Sequence, residues 1–166
     1  INPGASSGTP VYLTDVNGIL FFAAEEPGTG YELWRSDGTE AGTYLVKDIY
    51  SGATSCNPYD LTAFNGFLYL RASDGSNGSE LWKSDGTTLG TVLVKDIYSG
   101  ANGSNPYELT VLNGCLYFSA DNGTNGHELW RSNGTSVGTY IVKDIFLGAT
   151  GSDPYTLIRV NNNIFF

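Results

Sequence analysis

Methionine is absent from the 166 residues, histidine occurs once, cysteine twice, and 8 basic residues face 17 acidic ones. Each shortage excludes something. A formal charge of −9 leaves no basic face to displace counterions from phosphates, which argues against nucleic acid as a partner. No apolar run approaches the ~18 residues a helix needs to span a bilayer, so membrane insertion is not expected. With His127 as the lone histidine, no Ser-His-Asp or Cys-His grouping can be assembled by position. Walker, G-x-S-x-G, HExxH and CxxC motifs are all missing. Only 6 Pro beside 22 Gly excludes a collagen-like chain. What is present is 40% hydrophobic and 13% aromatic, too rich for a disordered segment.

The chain repeats itself at a step of 48 residues. Glu32-Leu33-Trp34 returns as Glu80-Leu81-Trp82 and Glu128-Leu129-Trp130. Val46-Lys47-Asp48-Ile49 returns at Val94 to Ile97 and Val142 to Ile145. Pro10, Pro58, Pro106 and Pro154 keep the same step, as do the Asn-Gly pairs at Asn17, Asn65 and Asn113. The expected organisation is a single array over 1–166, with 1–9 ending a preceding unit. Repeats then fill 10–57, 58–105 and 106–153, and 154–166 opens a fourth, about three and a half repeats in all. Ile1 matches Ile49 and Phe166 matches Phe22, so the ends fall inside the unit. A piece of a longer array is expected, without a signal peptide at Ile1.

Each unit reads as four short strands. Tyr12–Val16 and Ile19–Ala24 flank Asn17-Gly18, a strong hairpin signal because both turn residues tolerate positive φ. Tyr31–Ser36 and Thr43–Ile49 flank Asp37-Gly38-Thr39-Glu40-Ala41-Gly42, a longer hairpin. Nothing shows helical periodicity. Four antiparallel strands in ~40–50 residues is the size of a β-propeller blade. The expected fold is therefore all-β, a β-propeller-type stack of four-stranded antiparallel blades. Rings typically need ~4–8 blades, so this stretch is too short to close alone, and open edges favour association.

Glu32-Leu33-Trp34-Arg35-Ser36-Asp37-Gly38-Thr39 and Gly42-Thr43-Tyr44-Leu45-Val46-Lys47-Asp48-Ile49 resemble the bacterial ELWxxDGT repeat family. Residues 80–87 and 90–97 fit equally well, and the third unit departs only with Asn133 in place of Asp. The resemblance covers essentially the whole chain. It implies a tandem-repeat region of large secreted or cell-surface proteins, expected to form β-propellers and without an established catalytic role. Ser36-Asp37-Gly38-Thr39 also resembles, loosely, the Asp-box of sialidase-type propellers, where the box is structural.

The charges obey the repeat. Six of the 8 cations stand at two positions of the unit, Arg35/Lys83/Arg131 and Lys47/Lys95/Lys143. Cross-strand pairing of Glu32 with Lys47 is expected, a scaffold contact worth ~0.2–1 kcal/mol. Identical pairs repeated along a chain do not converge on one pocket, so no catalytic residues are assigned and an enzyme is not expected. Chemistry would have to come from what breaks the repeat: His127, Cys56, Cys115, Glu25-Glu26, Arg71 and Arg159.

Several positions are candidates for binding. Asp74, Glu80, Asp121 and Glu128 belong to loops rich in hard oxygen ligands, and Ca²⁺ is the ion they fit; ordinary turn chemistry is the competing and favoured explanation. No other cofactor is implied. Asn77, Asn102, Asn122 and Asn133 each open an N-x-[ST] sequon in a predicted loop. Cys56 and Cys115 are placed at opposite ends of their strands, too far apart for a disulfide. Trp34, Trp82 and Trp130 are expected in the core, whereas Tyr50, Tyr59, Tyr98, Tyr107 and Tyr155 lie beside the inter-repeat loops as candidate sugar platforms.

The resulting expectation is a non-catalytic structural or adhesive module, extracellular or at the cell surface. Its partners would be itself or further repeats of a longer chain. The alternatives are a multivalent carbohydrate-binding propeller, with glycans as partners, and a filament subunit joined through open blade edges.

Overall fold

The computed structural model describes residue 1 and residues 7–166, and no helix occurs among them. Three four-stranded antiparallel sheets follow one another along the chain. The first holds β1 (Val11–Val16), β2 (Ile19–Glu26), β3 (Gly30–Ser36) and β4 (Tyr44–Lys47). The second holds β5 (Tyr59–Phe64), β6 (Phe67–Ser73), β7 (Ser79–Ser84) and β8 (Val92–Lys95). The third holds β9 (Tyr107–Leu112), β10 (Cys115–Asp121), β11 (His127–Ser132) and β12 (Tyr140–Lys143). A two-stranded hairpin, β13 (Ile158–Val160) and β14 (Asn163–Phe165), completes the described chain.

Local chemistry accounts for the turns. Asn17 and Gly18 have φ of 54° and 84°, Asn65 and Gly66 of 50° and 79°. Paired positive φ values give the turn whose twist matches antiparallel strands, and Asn-Gly is the pair that adopts it at least cost. The outer hairpin is a built turn as well. Asp37 Oδ1 accepts from Thr39 N at 2.9 Å and from Thr39 Oγ1 at 2.7 Å, and Ser36 Oγ accepts from Gly38 N at 3.0 Å. Asp85 and Thr87 repeat this, and Asn133 substitutes its amide oxygen for the carboxylate with Thr135 at 3.0 and 2.8 Å. A neutral oxygen suffices, which explains why the third unit tolerates Asn.

The fourth strand of each sheet is shorter than the sequence pattern implies. It ends at Lys47, Lys95 or Lys143 and not at the following isoleucine. The reason lies in Glu32, whose Oε2 accepts the Ile49 N–H at 2.8 Å and draws it out of the ladder.

Neighbouring sheets bury their apolar faces against each other. Val16, Phe21, Leu33, Val46 and Ile49 of the first unit pack with Leu68, Leu70, Ala72 and Trp82 of the second. Phe64, Tyr69, Leu81, Val94 and Ile97 pack with Leu116, Phe118, Ala120 and Trp130 of the third. All three Trp are buried. The first strands come into contact in the order β1, β5, β9, β13, and no closed ring is present among the described residues.

Polar side chains also cross between sheets. Lys47 Nζ donates to Thr91 O at 2.8 Å and Lys95 Nζ to Thr139 O at 2.7 Å, above the Trp82 and Trp130 rings respectively. Thr14 Oγ1 donates to Leu61 O at 3.1 Å and Thr88 Oγ1 to Val46 O at 2.9 Å. The expected Glu32–Lys47 cross-strand pair is therefore corrected. A register shift between Leu33 and Trp34 separates the two, Lys47 reaches the next sheet, and Glu32 turns into its own loop.

Among the described residues the third sheet is followed by the two-stranded hairpin β13–β14. Val46 and Val94 are 1% and 5% exposed, whereas Val142 is 45% exposed. Ile145, Phe146 and Leu147 lie bare beside it.

Candidate functional site

The repeated acids serve the scaffold. Glu80 is fully buried; its Oε1 accepts from Tyr98 N at 3.1 Å and Ser104 N at 2.7 Å, and its Oε2 from Ile97 N at 3.1 Å and Ser104 Oγ at 2.5 Å. Glu128 makes the same four bonds with Ile145, Phe146 and Ser152. Glu32 holds Ile49 N and Cys56 N, each at 2.8 Å. Each glutamate thus clamps both ends of the loop leading to the next sheet. Sequence reasoning had no signal for this, beyond the invariance of the position across the three units.

This clamp changes the reading of two candidate calcium ligands. Glu80 and Glu128 spend their oxygens on loop donors, while Asp74 Oδ1 accepts from Ser76 N and Asn77 N, both at 2.9 Å. Asp121 Oδ1 accepts from Gly123 N at 2.7 Å. Asp74 and Asp121 are turn formers, and they do not share a ligand set with the glutamates. Among the described residues no group of three or more His, Cys, Asp or Glu is placed to hold a metal ion.

Cys56 occupies the place of Ser104 and Ser152, with its thiol beside Glu32. It is buried, and that burial together with the Glu32 charge pushes the thiol far above its ordinary pKa. Cys115 is half-buried and accepts from Arg131 Nη2 at 2.7 Å; both cysteines are free. The sequon asparagines lie in loops and turns. The amide nitrogens of Asn77 and Asn122 bond to Asp74 and Asn125, whereas Asn102 and Asn133 are exposed.

The five tyrosines separate into two sets. Tyr50 packs against the first core cluster with its ring over Gly75, and Tyr98 covers Gly123 in the same way. Both are half-buried supports of the following loop. Tyr59, Tyr107 and Tyr155 open β5, β9 and the last hairpin unit; Tyr107 stacks between His127 and Tyr155, at 5.2 and 5.6 Å between centroids. Burial pushes the Tyr107 phenol up to about 12.

One cleft stands out between the first two sheets. Its volume is about 310 Å³, and Tyr12, Tyr31, Asn57, Tyr59 and Arg71 are among its lining residues. Tyr59 and Arg71 are directly opposed across β5 and β6, and the guanidinium carbon sits 4.6 Å from the Tyr59 ring centre. Tyr12 meets Tyr59 edge-on at 4.7 Å. A backbone irregularity between Val11 and Thr14 places Tyr12 at φ 57°. Asp60, Glu108 and Thr156 share that left-handed conformation at the matching positions. Asp60 and Glu108 use it to reach the next sheet, accepting from Glu108 N at 2.9 Å and Leu157 N at 3.2 Å. Tyr12 carries no carboxylate and contributes a ring instead. Tyr31 stands where Ser79 and His127 stand later, and its hydroxyl bonds to Thr9 Oγ1.

The sequence had singled out Tyr59 and Arg71 separately, but not Tyr12 or Tyr31. The signal available was position: 12, 31 and 71 all break the 48-residue pattern. No family model matches the chain, and no curated protein compared with it is a match.

Burial of the clamps has a consequence for pH. Desolvation raises the Glu32 and Glu80 carboxyls above 4.5, against the pull of their N–H donors. A raised carboxyl contributes stability that is complete below its unfolded value and is lost as pH climbs through its folded one. Asp37 and Asp85 act in the opposite sense. Their Thr39 and Thr87 bonds lower them below 3.8, so their contribution disappears only as pH falls through those lowered values. Thermal midpoints are therefore expected to peak in the mildly acid range, near about pH 4–5, and decline toward neutrality. A scan from acid to neutral pH checks this, and a midpoint that rises steadily to neutrality would contradict it.

Proposed function

We propose that this chain is a non-catalytic structural and adhesive repeat module of a secreted or cell-surface protein, of the ELWxxDGT β-propeller type. It associates with further sheets of its own kind, supplied by more repeats or by second copies. The observation that carries the reading is the bare face of the third sheet. Val142 and Ile145 repeat residues that the first two units bury under their successors, and exposed Phe146 repeats the half-buried Tyr50 and Tyr98. Lys143 is exposed where Lys47 and Lys95 span to a neighbour. The repeated glutamates are spent on loop donors, and Lys47, Lys83 and Lys95 on carbonyls of the next unit, which accords with a scaffold. Among the described residues no helix is long and apolar enough to cross a membrane.

Sedimentation velocity over a wide concentration range tests the assembly. The average mass is expected to grow with concentration, and Val142→Asp, on an already exposed position, is expected to hold the chain monomeric. A wild-type chain that stays monomeric throughout would sink the reading. Carbohydrate binding is the second reading, favoured by one observation, the exposed rings of the cleft.

A further inference from the structure

We infer that the cleft between the first two sheets binds a saccharide carrying a carboxylate, with Arg71 gripping the acid and Tyr12 and Tyr59 stacking on the sugar ring. The inference rests on the carbohydrate reading and not on assembly.

The first argument is where the departures from the repeat fall. Position 71 is Ala23 in the first unit and Ser119 in the third; position 12 becomes Asp60 and Glu108; position 31 becomes Ser79 and His127. These substitutions are scattered along the chain, yet Tyr12, Tyr31 and Arg71 line one cavity. Folding alone does not require them, because the other junction is built without an equivalent trio. The trio is therefore peculiar to this junction, unlike the repeated glutamates and cations.

The second argument is the state of Arg71. Six of the other cations are fixed by the repeat, and Lys47, Lys83 and Lys95 donate to carbonyls of the next sheet. The Arg71 side chain makes no hydrogen bond with the described residues, and it meets the Tyr59 face and the charge of Asp60. Asp60 Oδ2 is already committed to Glu108 N at 2.9 Å. Stacking on Tyr59 limits the guanidinium to a few orientations while leaving its N–H fork open. An ordered, unspent fork is suited to a planar carboxylate, which it meets through two parallel bonds.

The third argument is shape. Tyr12 and Tyr59 are 46% and 39% exposed, large apolar faces left beside a cation. Aromatic faces of this kind complement the C–H faces of a pyranose, and phenol hydroxyls serve its hydroxyl groups. A cleft of about 310 Å³ admits one or two sugar units. The chain's charge of −9 and the nearness of Asp60 oppose dense polyanions, so one carboxylate per bound unit fits better than a sulfated or phosphorylated polymer. Uronic and ulosonic acids share this chemistry, and the two sources are distinguishable.

Titration calorimetry on the whole chain, with tetragalacturonate, sialyllactose, and neutral maltotetraose and lactose as probes, decides the matter. One acidic probe is expected to bind at least about tenfold more tightly than its neutral counterpart. Arg71→Ala should erase that preference. Arg71→Lys should lose most of it despite keeping the charge, since an ammonium has no fork. Tyr12→Ala should weaken acidic and neutral ligands alike, and thermal melting verifies that each variant folds. Equal binding of acidic and neutral probes overturns the acid assignment while leaving the carbohydrate reading standing. If no saccharide binds, both fall. If acetate or inorganic phosphate binds as tightly as the saccharides, the site is a simple anion pocket and the inference is wrong.

Discussion

Replacing Glu80 with alanine is expected to lower stability by about 4 kcal/mol or more, a large share of the ~5–15 kcal/mol that holds a typical domain folded. The side chain is fully buried and answers four donors, three main-chain N–H groups and the Ser104 hydroxyl. Each buried donor left without an acceptor costs about 1–3 kcal/mol. Water entering the vacated space would recover part of that. Glu80→Gln retains one carbonyl oxygen and is expected to fall between wild type and alanine. The internal control is Asp85→Asn, which should change little, because Asn133 already performs that turn with an amide oxygen. Urea unfolding followed by tryptophan fluorescence gives the three midpoints. If Glu80→Ala costs less than about 1 kcal/mol, the clamp is not what secures the loop.

Trp82→Ala is the second large effect, expected at about 3–5 kcal/mol for a large aromatic removed from a packed interior. Trp82 is buried where the first two sheets meet, among Leu33, Val46 and Leu70, with the Lys47 ammonium 5.7 Å from its ring centre. Its indole N–H has no acceptor in the structure. Trp82→Phe should therefore cost far less, since a smaller ring keeps the apolar contact and no hydrogen bond is lost. Midpoints from the same urea series, read by circular dichroism, compare the two. Equal losses for Ala and Phe would mean that the indole nitrogen matters after all.

Much of the fold could be read from residues alone, for reasons that are local. Asn17-Gly18 and its copies specify hairpins through two consecutive positive φ values. The unbroken apolar run Ile19-Leu20-Phe21-Phe22 marks a strand covered on both sides. Ser36-Asp37-Gly38-Thr39 specifies its turn within four residues. What escaped sequence reading was non-local. The role of Glu80 depends on donors 17 to 24 residues away, and a glutamate at this repeat position reads as a cross-strand partner for lysine or a calcium ligand until the loop is seen to fold over it. Lys47 was legible as a recurring cation, but its acceptor is a carbonyl 44 residues on. The cleft was half legible: Arg71 was visible as an irregularity and Tyr59 as an exposed ring. Their opposition across β5 and β6, and the approach of Tyr12 from another sheet, needed the register and the bulge.

The side-chain bonds that cross between sheets end on main-chain groups, carbonyls for the most part. Lys47 reaches Thr91 O, Thr14 reaches Leu61 O, and Thr110 reaches Leu157 O. A carbonyl is the same group whichever residue carries it, so a unit recognises the backbone path of its neighbour more than the neighbour's composition. Units joined in this way are interchangeable parts. Such a chain can be lengthened, shortened or recombined between copies while its seams stay intact. A cleft made from irregular residues is then free to change at one seam, as Tyr12, Tyr31 and Arg71 have done, without renegotiating the rest of the array.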